Sequence, residues 1–125
     1  MISVLPIRDE ELLAGLYINA GIQKNNVSSG VCAREGDVIL GYCLYDELID
    51  KTVIRYIHPL EDLYLADGIL RSALHVSAER FVLNVVYSNE CDDTLFNKLD
   101  FVLNSDEKSL NIDKLFGGCN CCEKQ

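Results

Sequence analysis

The chain has 125 residues, 49% hydrophobic and 25% charged, which is the composition of one globular domain and excludes a disordered or fibrous chain. Its formal net charge of −9 predicts no nucleic-acid partner and no anionic membrane partner, since both require a basic face. The amino terminus lacks the pattern of a signal peptide, and no apolar run is long enough to cross a bilayer. We therefore expect a cytoplasmic protein whose six cysteines stay reduced.

The first half of the chain alternates between strand and helix signals. Residues 2–7 form a short β-rich run, and residues 9–20 carry apolar side chains at helical spacing up to Gly21, a typical helix stop. Three β-rich runs follow, at residues 31–35, 38–45 and 52–57, and Gly36-Asp37 predicts a hairpin turn between the first two. Gly41, inside the second run, indicates a bulge or a close approach of another segment.

The second half begins with the longest helical pattern. Apolar residues with a period of 3.6 extend over residues 62–80, and residues 81–87 are a continuous apolar run, typical of a strand buried on both faces. Residues 92–99 predict a short helix and residues 101–103 a last strand, whereas residues 110–116 fit either state. This order predicts an α+β domain over residues 1–116, with a mixed, mostly antiparallel sheet and helices on both faces. Residues 117–125 form a cysteine-rich tail.

The long helical pattern contains the string Tyr-Leu-Ala-Asp-Gly-Ile-Leu-Arg-Ser-Ala-Leu at residues 64–74. This string resembles the acetyl-CoA motif of the GNAT superfamily of acyl-CoA N-acyltransferases. The family motif is an aromatic residue, Gln or Arg, two residues, Gly, any residue, then Gly or Ala and a basic residue. The resemblance implies that free amides at the head of a helix hold the pyrophosphate. The residues at that position are Gly68, Ile69, Leu70, Arg71 and Ser72.

A second string, at residues 89–101, resembles the family's segment of Asn, seven residues, Tyr, Glu, Lys, Leu, Gly and Phe. The two strings cover residues 52–102, about two fifths of the chain. The resemblance implies a GNAT-like fold and transfer of an acetyl group from acetyl-CoA to a small amine or a peptide amine. It also implies that the strand backbone at Tyr56 and Ile57 pairs with the pantetheine arm and that Asn89 steadies the cofactor.

Several residues depart from the family pattern. Leu65 replaces the Gln or Arg, Leu70 replaces the second Gly or Ala, and Asp67 adds negative charge beside the expected anion site. Phe96 replaces a tyrosine that often protonates the leaving thiolate. An alternative hypothesis is therefore a catalytically silent GNAT-fold binding or regulatory protein. A further alternative concerns the helix start: if the helix begins near Asp62, the amides of residues 66–70 lie inside it and no cradle exists.

Three residues are candidates for catalysis by their location. His58 and Glu61 follow the strand that precedes the phosphate loop, where the family often has a base or an ordered water. Tyr87 ends the buried strand, and ligands of such sheets bind outside strand carboxyl ends. The competing interpretations are a solvent-facing imidazole for His58 and a turn after Tyr87.

The tail places Cys119, Cys121 and Cys122 within four positions. Thiolates suit Zn²⁺ or Cu⁺, but these neighbouring cysteines do not easily close a tetrahedral site alone, so a fourth ligand would have to come from elsewhere. The simpler interpretation is a mobile tail with exposed thiols. The sequence favours acyl transfer over the silent module and over a metal or thiol role for the tail. It predicts neither an oligomeric state nor a particular metal.

Overall fold

A computed structural model of the protein describes residues 2–91 and 93–112. This part of the chain forms a sheet and three helices. The strands are β1 (Ser3–Pro6), β2 (Ser28–Glu35), β3 (Val38–Glu47), β4 (Thr52–His58), β5 (Val85–Tyr87), β6 (Val102–Asn104) and β7 (Ser109–Leu110). The helices are α1 (Glu10–Ala20), α2 (Leu63–Glu79) and α3 (Asp93–Lys98). The predicted order of elements is confirmed up to β6, and β7 includes the first residue of the run 110–116, which fitted either helix or strand.

The seven described strands form one sheet in the order β1-β2-β3-β4-β5-β7-β6. Strands β1 to β4 are antiparallel neighbours, as are β5 with β7 and β7 with β6. Strands β4 and β5 pair in parallel, because α2 returns the chain along the sheet before β5 begins. The prediction of a mixed, mostly antiparallel sheet is therefore confirmed.

Helices α1 and α2 pack on opposite faces of this sheet, as predicted. Successive strand residues point to opposite faces, so Tyr42 and Leu44 of β3 belong to the core under α1, whereas Cys43 and Tyr45 belong to the core under α2. Helix α1 contributes the buried residues Leu13, Leu16 and Tyr17. Helix α2 contributes the buried residues Ala66, Ile69, Leu70, Ala73 and Leu74.

The ends of α1 follow local sequence signals. The Asp9 carboxylate accepts hydrogen bonds from the amides of Glu11 and Leu12, so it caps the helix start. Gly21 ends the helix with a φ of 76°, the left-handed conformation that glycine adopts without a steric penalty. The predicted stop at Gly21 is confirmed.

Gly41 shows both features that the sequence indicated for it. The register between β2 and β3 shifts here, since Ala33 pairs with Gly41 and Arg34 with Ile39. A Cβ atom on Gly41 would lie 2.5 Å from the carbonyl oxygen of His58 and 2.8 Å from Cδ of Pro59. The absence of a side chain therefore allows the end of β4 to pass close to β3.

The prediction of a strand over residues 81–87 is wrong for its first four residues. Strand β5 begins at Val85, and Phe81 and Leu83 are 92% and 59% exposed. Helix α2 ends at Glu79, and Phe81 turns the chain with a φ of 62° before β5 can pair with β4. The apolar run therefore serves partly as a connection, because the chain needs these residues to reverse from the helix into the sheet.

Two sequence predictions concern the end of the chain. Residues 110–116, which fitted either state, begin inside β7, and only residues 110–112 of them are described. The cysteine-rich tail, with Cys119, Cys121 and Cys122, lies outside the described residues. No helix among residues 2–91 and 93–112 is long and apolar enough to cross a membrane.

Candidate functional site

The parallel strands β4 and β5 separate before β4 ends. Their pairing runs from Thr52 with Val85 to Ile54 with Tyr87, and β4 then continues to His58 without β5 beside it. This separation opens a gap at the carboxyl end of both strands, where ligands bind in sheets with parallel strands. The gap is the structural feature around which the candidate residues are arranged.

A hollow of about 110 Å³ lies in this gap, and we call it the β4–α3 groove. It is lined by Tyr56, Ile57, Leu60, Glu90, Cys91, Leu95 and Phe96. The walls are mainly apolar, and they come from β4, the connection between β4 and α2, the turn after β5, and α3. The hollow has room for a few heavy atoms, such as an acyl group with its thioester, and a longer ligand would extend along β4.

The turn after β5 is tied to β4 by two contacts to one carbonyl. The amide of Ser88 donates to the Ile54 oxygen at 2.9 Å, and the Cys91 thiol donates to the same oxygen at 3.4 Å. These contacts hold the turn at a fixed distance from β4, and they therefore set the width of the groove at its closed end.

Arg55 forms a second tie between the same segments. Its Nε and Nη2 donate to the two carboxylate oxygens of Glu90 at 3.0 and 3.2 Å, and its Nη1 donates to the Gln23 carbonyl at 2.6 Å. Asp46 lies 3.7 Å from the same guanidinium. The hydrogen bonds from Arg55 lower the pKa of Glu90, and those with Glu90 raise the pKa of Arg55. Both groups are therefore charged at neutral pH, and Glu90 is fixed at the groove wall.

Two groove residues carry protons that burial retains. Burial is the main cause that raises the pKa of the Cys91 thiol to about 11, so Cys91 is a neutral thiol at pH 7 and not a nucleophilic thiolate. Burial, followed by the neighbouring Tyr42, also raises the pKa of the Tyr56 hydroxyl. The Tyr56 ring stacks on Tyr42 with ring centres 5.9 Å apart, and its phenol is neutral at pH 7.

His58 and Glu61 line a second hollow, on the other side of the connection between β4 and α2. This α2 groove has a volume of about 770 Å³ and is bounded by the starts of β1 and α2 and by Leu40 of β3. The His58 ring packs 5.5 Å from the ring of Tyr42, whose hydroxyl accepts a hydrogen bond from the Asn19 amide. The two predicted catalytic residues thus line the α2 groove and not the β4–α3 groove, and the ring of His58 packs on Tyr42 of the core under α1.

The predicted phosphate cradle at residues 68–72 is corrected by the structure. Helix α2 begins at Leu63, so Gly68 lies in its second turn and the amides of Gly68, Ile69, Leu70, Arg71 and Ser72 are directed to helix carbonyls four residues earlier. Leu70 is fully buried in the core. The alternative start near Asp62, which the sequence left open, is the one that the structure adopts, because Asp62 caps the helix.

The capping contacts show how the helix start is satisfied. The Asp62 carboxylate accepts a hydrogen bond from the Leu65 amide at 3.1 Å, and the Asp62 carbonyl accepts one from the Ala66 amide at 2.9 Å. Further along the helix, Nε of Arg71 donates to Asp67 at 2.9 Å, and the guanidinium lies 5.1 Å from the Phe101 ring centre. Arg71 is therefore paired within its own helix.

Tyr87 and Asn89 do not line the groove that was predicted to use them. Tyr87 is 2% exposed and stacks on Phe96 with ring centres 4.4 Å apart, so Phe96 separates it from the groove. Its hydroxyl has no hydrogen-bond partner among the described residues, and burial, followed by Asp93, raises its pKa. Asn89 is exposed in the turn after β5. Of the predicted cofactor-binding residues, Tyr56 and Ile57 line the groove.

Sequence reasoning missed several groove residues, including Leu60, Cys91 and Leu95. The available signal was position, since all of them follow the carboxyl end of β4 or β5. Among the described residues, no three His, Cys, Asp or Glu side chains are grouped so that they could hold a metal ion. The prediction of a metal or thiol role for the tail concerns residues outside this part of the chain.

Comparison with known proteins gives matches in structure and none in sequence. No family model matches the chain, and no curated protein matches it. A predicted acetyltransferase with acetyl-CoA from Clostridium acetobutylicum is 16% identical, with a TM-score of 0.58 over 91% of this chain and 98% of that chain. A ribosomal-protein-alanine N-acetyltransferase from Brucella melitensis is 15% identical, with a TM-score of 0.57 over 79% of this chain and 89% of that chain.

A third similar structure, from Desulfovibrio desulfuricans, is assigned as an acetyltransferase of the GNAT family. It is 12% identical, with a TM-score of 0.53 over 75% of this chain and 79% of that chain. At these identities the matches establish the fold, and they confirm the fold that the two sequence strings implied.

Proposed function

We propose that this chain, which has the fold of the GNAT acyl-CoA N-acyltransferase superfamily, transfers an acyl group from a thioester to an amine. The acyl end of the donor lies in the β4–α3 groove. The observation that carries the proposal is the separation of β4 from β5 after Ile54, which leaves a mainly apolar hollow beside four further residues of β4. The similar structures, one of them with acetyl-CoA, support an acetyl thioester as the donor.

The acceptor approaches from the side of the α2 groove, where the groups available are basic or acidic. Glu61 and Asp62 line this hollow and, with a net charge of −9 on the chain, attract a cationic amine. His58 lies at the end of β4, one residue after the groove residue Ile57, and its imidazole accepts the amine proton directly or through water. The uncharged amine then has the lone pair that the reaction needs.

The transfer itself forms one bond and breaks one. The amine nitrogen attacks the thioester carbonyl carbon and gives its second proton to water, the carbon–sulfur bond breaks, and the sulfur leaves as a thiolate. The Tyr56 hydroxyl donates a proton to this thiolate and regains one from solvent, because Tyr56 lines the groove as a neutral phenol. Phe96 occupies the position of the family's tyrosine and carries no proton, so Tyr56 assumes that role in the proposal.

Product mass is the appropriate readout for a test, since it detects the acylated amine directly. Acetyl-CoA and S-acetylpantetheine are each incubated with a panel of small amines and amino-terminal peptides. Tyr56→Phe is expected to lower kcat by about 10²-fold, and His58→Gln by a similar factor. Tyr45→Phe and His75→Gln are matched controls: Tyr45 is buried in the core, its hydroxyl has no partner among the described residues, and His75 is exposed on α2. Equal losses in the controls would refute the assigned roles.

A catalytically silent binding module is the second candidate function. Two observations favour it: Phe96 supplies no proton at the groove, and Asp62 caps the helix end where the family holds phosphate. This candidate predicts that a thioester binds and raises the thermal stability of the protein while the full panel gives no acetylated product. Turnover with any amine, lowered by Tyr56→Phe, would exclude it.

A further inference from the structure

We infer that the acyl donor is recognised through its pantetheine arm and not through the phosphates of a nucleotide. A phosphate-free acyl-pantetheine thioester then serves this site as well as an acyl-CoA. The inference rests on the proposed function, and it names the part of the donor that the groove selects. Three features of the described residues support it: the capped start of α2, the acidic charge around that start, and the pairing of the nearby cations.

The start of α2 already carries a negative charge from its own capping residue, Asp62. A helix start attracts anions because its first amides lack partners within the helix. Here the carboxylate of Asp62 accepts the Leu65 amide at 3.1 Å, and its backbone carbonyl accepts the Ala66 amide at 2.9 Å. A phosphate at this position would meet a carboxylate where a phosphate-binding helix presents free amides.

The charges around this helix start are acidic. Glu61 and Asp62 line the α2 groove together, and Asp67 follows within the first two turns of α2. Arg71 is the basic residue of the family-like string. Its Nε donates a hydrogen bond to the Asp67 carboxylate at 2.9 Å, and its guanidinium lies over the Phe101 ring. The local field therefore favours cations and opposes a pyrophosphate.

Cations near the β4–α3 groove are also paired, with one exception. Arg55 binds Glu90 and the Gln23 carbonyl, and Lys108 lies 3.4 Å from Asp93. Lys98 has no acidic partner within 4.0 Å in the part of the chain that the structure describes. It lines a hollow beside the groove with Leu60, Thr94 and Leu95, and its side chain is exposed. Water and salt screen such an exposed charge, so it discriminates weakly between donors.

The walls of the β4–α3 groove suit the neutral part of the donor instead. Ile57, Leu60, Leu95 and Phe96 provide apolar surface, and β4 continues past Ile54 without β5 beside it. A pantetheine arm has alkyl segments and amides, so it matches apolar walls beside a strand edge that no other strand pairs with. Affinity therefore comes from the arm and from the acyl group.

The test is a calorimetric titration of the protein with S-acetylpantetheine and with acetyl-CoA, at about 20 mM and about 200 mM salt. We expect dissociation constants that agree within about threefold, with acetyl-CoA the weaker ligand at low salt because the acidic helix start repels its phosphates. Acetyl-CoA binding at least about tenfold tighter than S-acetylpantetheine would overturn the inference and leave the proposed function standing. Binding of neither ligand would instead refute the proposed function.

Two variants locate the effect. Asp62→Asn retains a capping oxygen and removes the charge, so it is expected to tighten acetyl-CoA by about three- to tenfold and leave S-acetylpantetheine unchanged. Lys98→Ala is expected to change the ratio of the two dissociation constants by less than about threefold. A larger loss for acetyl-CoA alone in Lys98→Ala would show that this lysine binds a phosphate, and the inference would fail. The pantetheine arm occurs both in CoA and on carrier proteins. Comparing the turnover of acetyl-CoA with that of an acetylated carrier protein distinguishes these two donors.

Discussion

Gly68 provides the sharpest test of the structure, because the two interpretations of the helix start predict opposite results for Gly68→Ala. If Gly68 belonged to a phosphate-binding loop, a methyl group there would hinder the approach of the ligand to the backbone. In the structure Gly68 lies inside α2, and a Cβ atom added to it meets nothing within 4 Å. The substitution should therefore raise the stability of α2 without causing a steric clash.

The expected gain follows from helix propensity. Glycine in a helix interior is less favourable than alanine by about 0.8–1.0 kcal/mol. For a domain of this size, such a gain raises Tm by about 3 to 5 °C. Urea denaturation and a thermal melt measure the change. Gly15→Ala is the matched control, since Gly15 lies in α1 and its added Cβ also meets nothing within 4 Å. Both variants should gain similar stability.

The ligand measurement completes this test. Gly68→Ala should bind acetyl-CoA and S-acetylpantetheine as the unsubstituted protein does. A destabilised Gly68→Ala protein would show that residue 68 does not have helical backbone geometry. Weakening of acetyl-CoA by about fivefold or more, with S-acetylpantetheine unaffected, would show that the Gly68 backbone contacts phosphate. Either result would refute the reasoning that places the motif inside α2.

Three further predictions concern stability. Phe81→Gly should raise the free energy of unfolding by about 0.5–1 kcal/mol, because Phe81 has a φ of 62° and its ring is exposed. Phe81→Ala keeps a Cβ atom in this left-handed conformation and should show no gain in urea denaturation. Equal effects of the two substitutions would contradict this reason. Gly41→Ala should cost about 1–3 kcal/mol in the same assay, since its Cβ would lie 2.5 Å from the His58 oxygen, and an unchanged midpoint would disprove the close approach. Glu90→Gln should lower Tm slightly at pH 7, and this difference should shrink as the pH falls through the pKa of Glu90. The hydrogen bonds from Arg55 lower this pKa below its usual value of 4.5, so the pair stabilises the fold above that pH and the stabilisation is lost as the pH falls through the lowered pKa. A Tm difference that persists at low pH would exclude the ion pair as its cause.

Local signals in the sequence determined much of the architecture. The cap at Asp9, the stop at Gly21 and the period of 3.6 in α2 each depend on neighbours within a few turns, so the sequence alone located both long helices. The order of elements predicted the mixed sheet with helices on both faces. Gly41 was identified as a special position because a glycine inside a strand run indicates a bulge or a close approach, and the structure shows both.

Contacts between residues far apart in the sequence determined the position and lining of the candidate site. The motif alone fits a phosphate loop or a helix interior, and the structure selects the helix because Asp62 caps it and Leu70 is buried against the sheet. The apolar run after α2 did not show where β5 begins, since that depends on its pairing with β4. The width of the groove depends on the Arg55–Glu90 pair, whose members are 35 residues apart. A local sequence pattern cannot predict which distant residues come into contact, because these contacts form only when the chain packs into three dimensions.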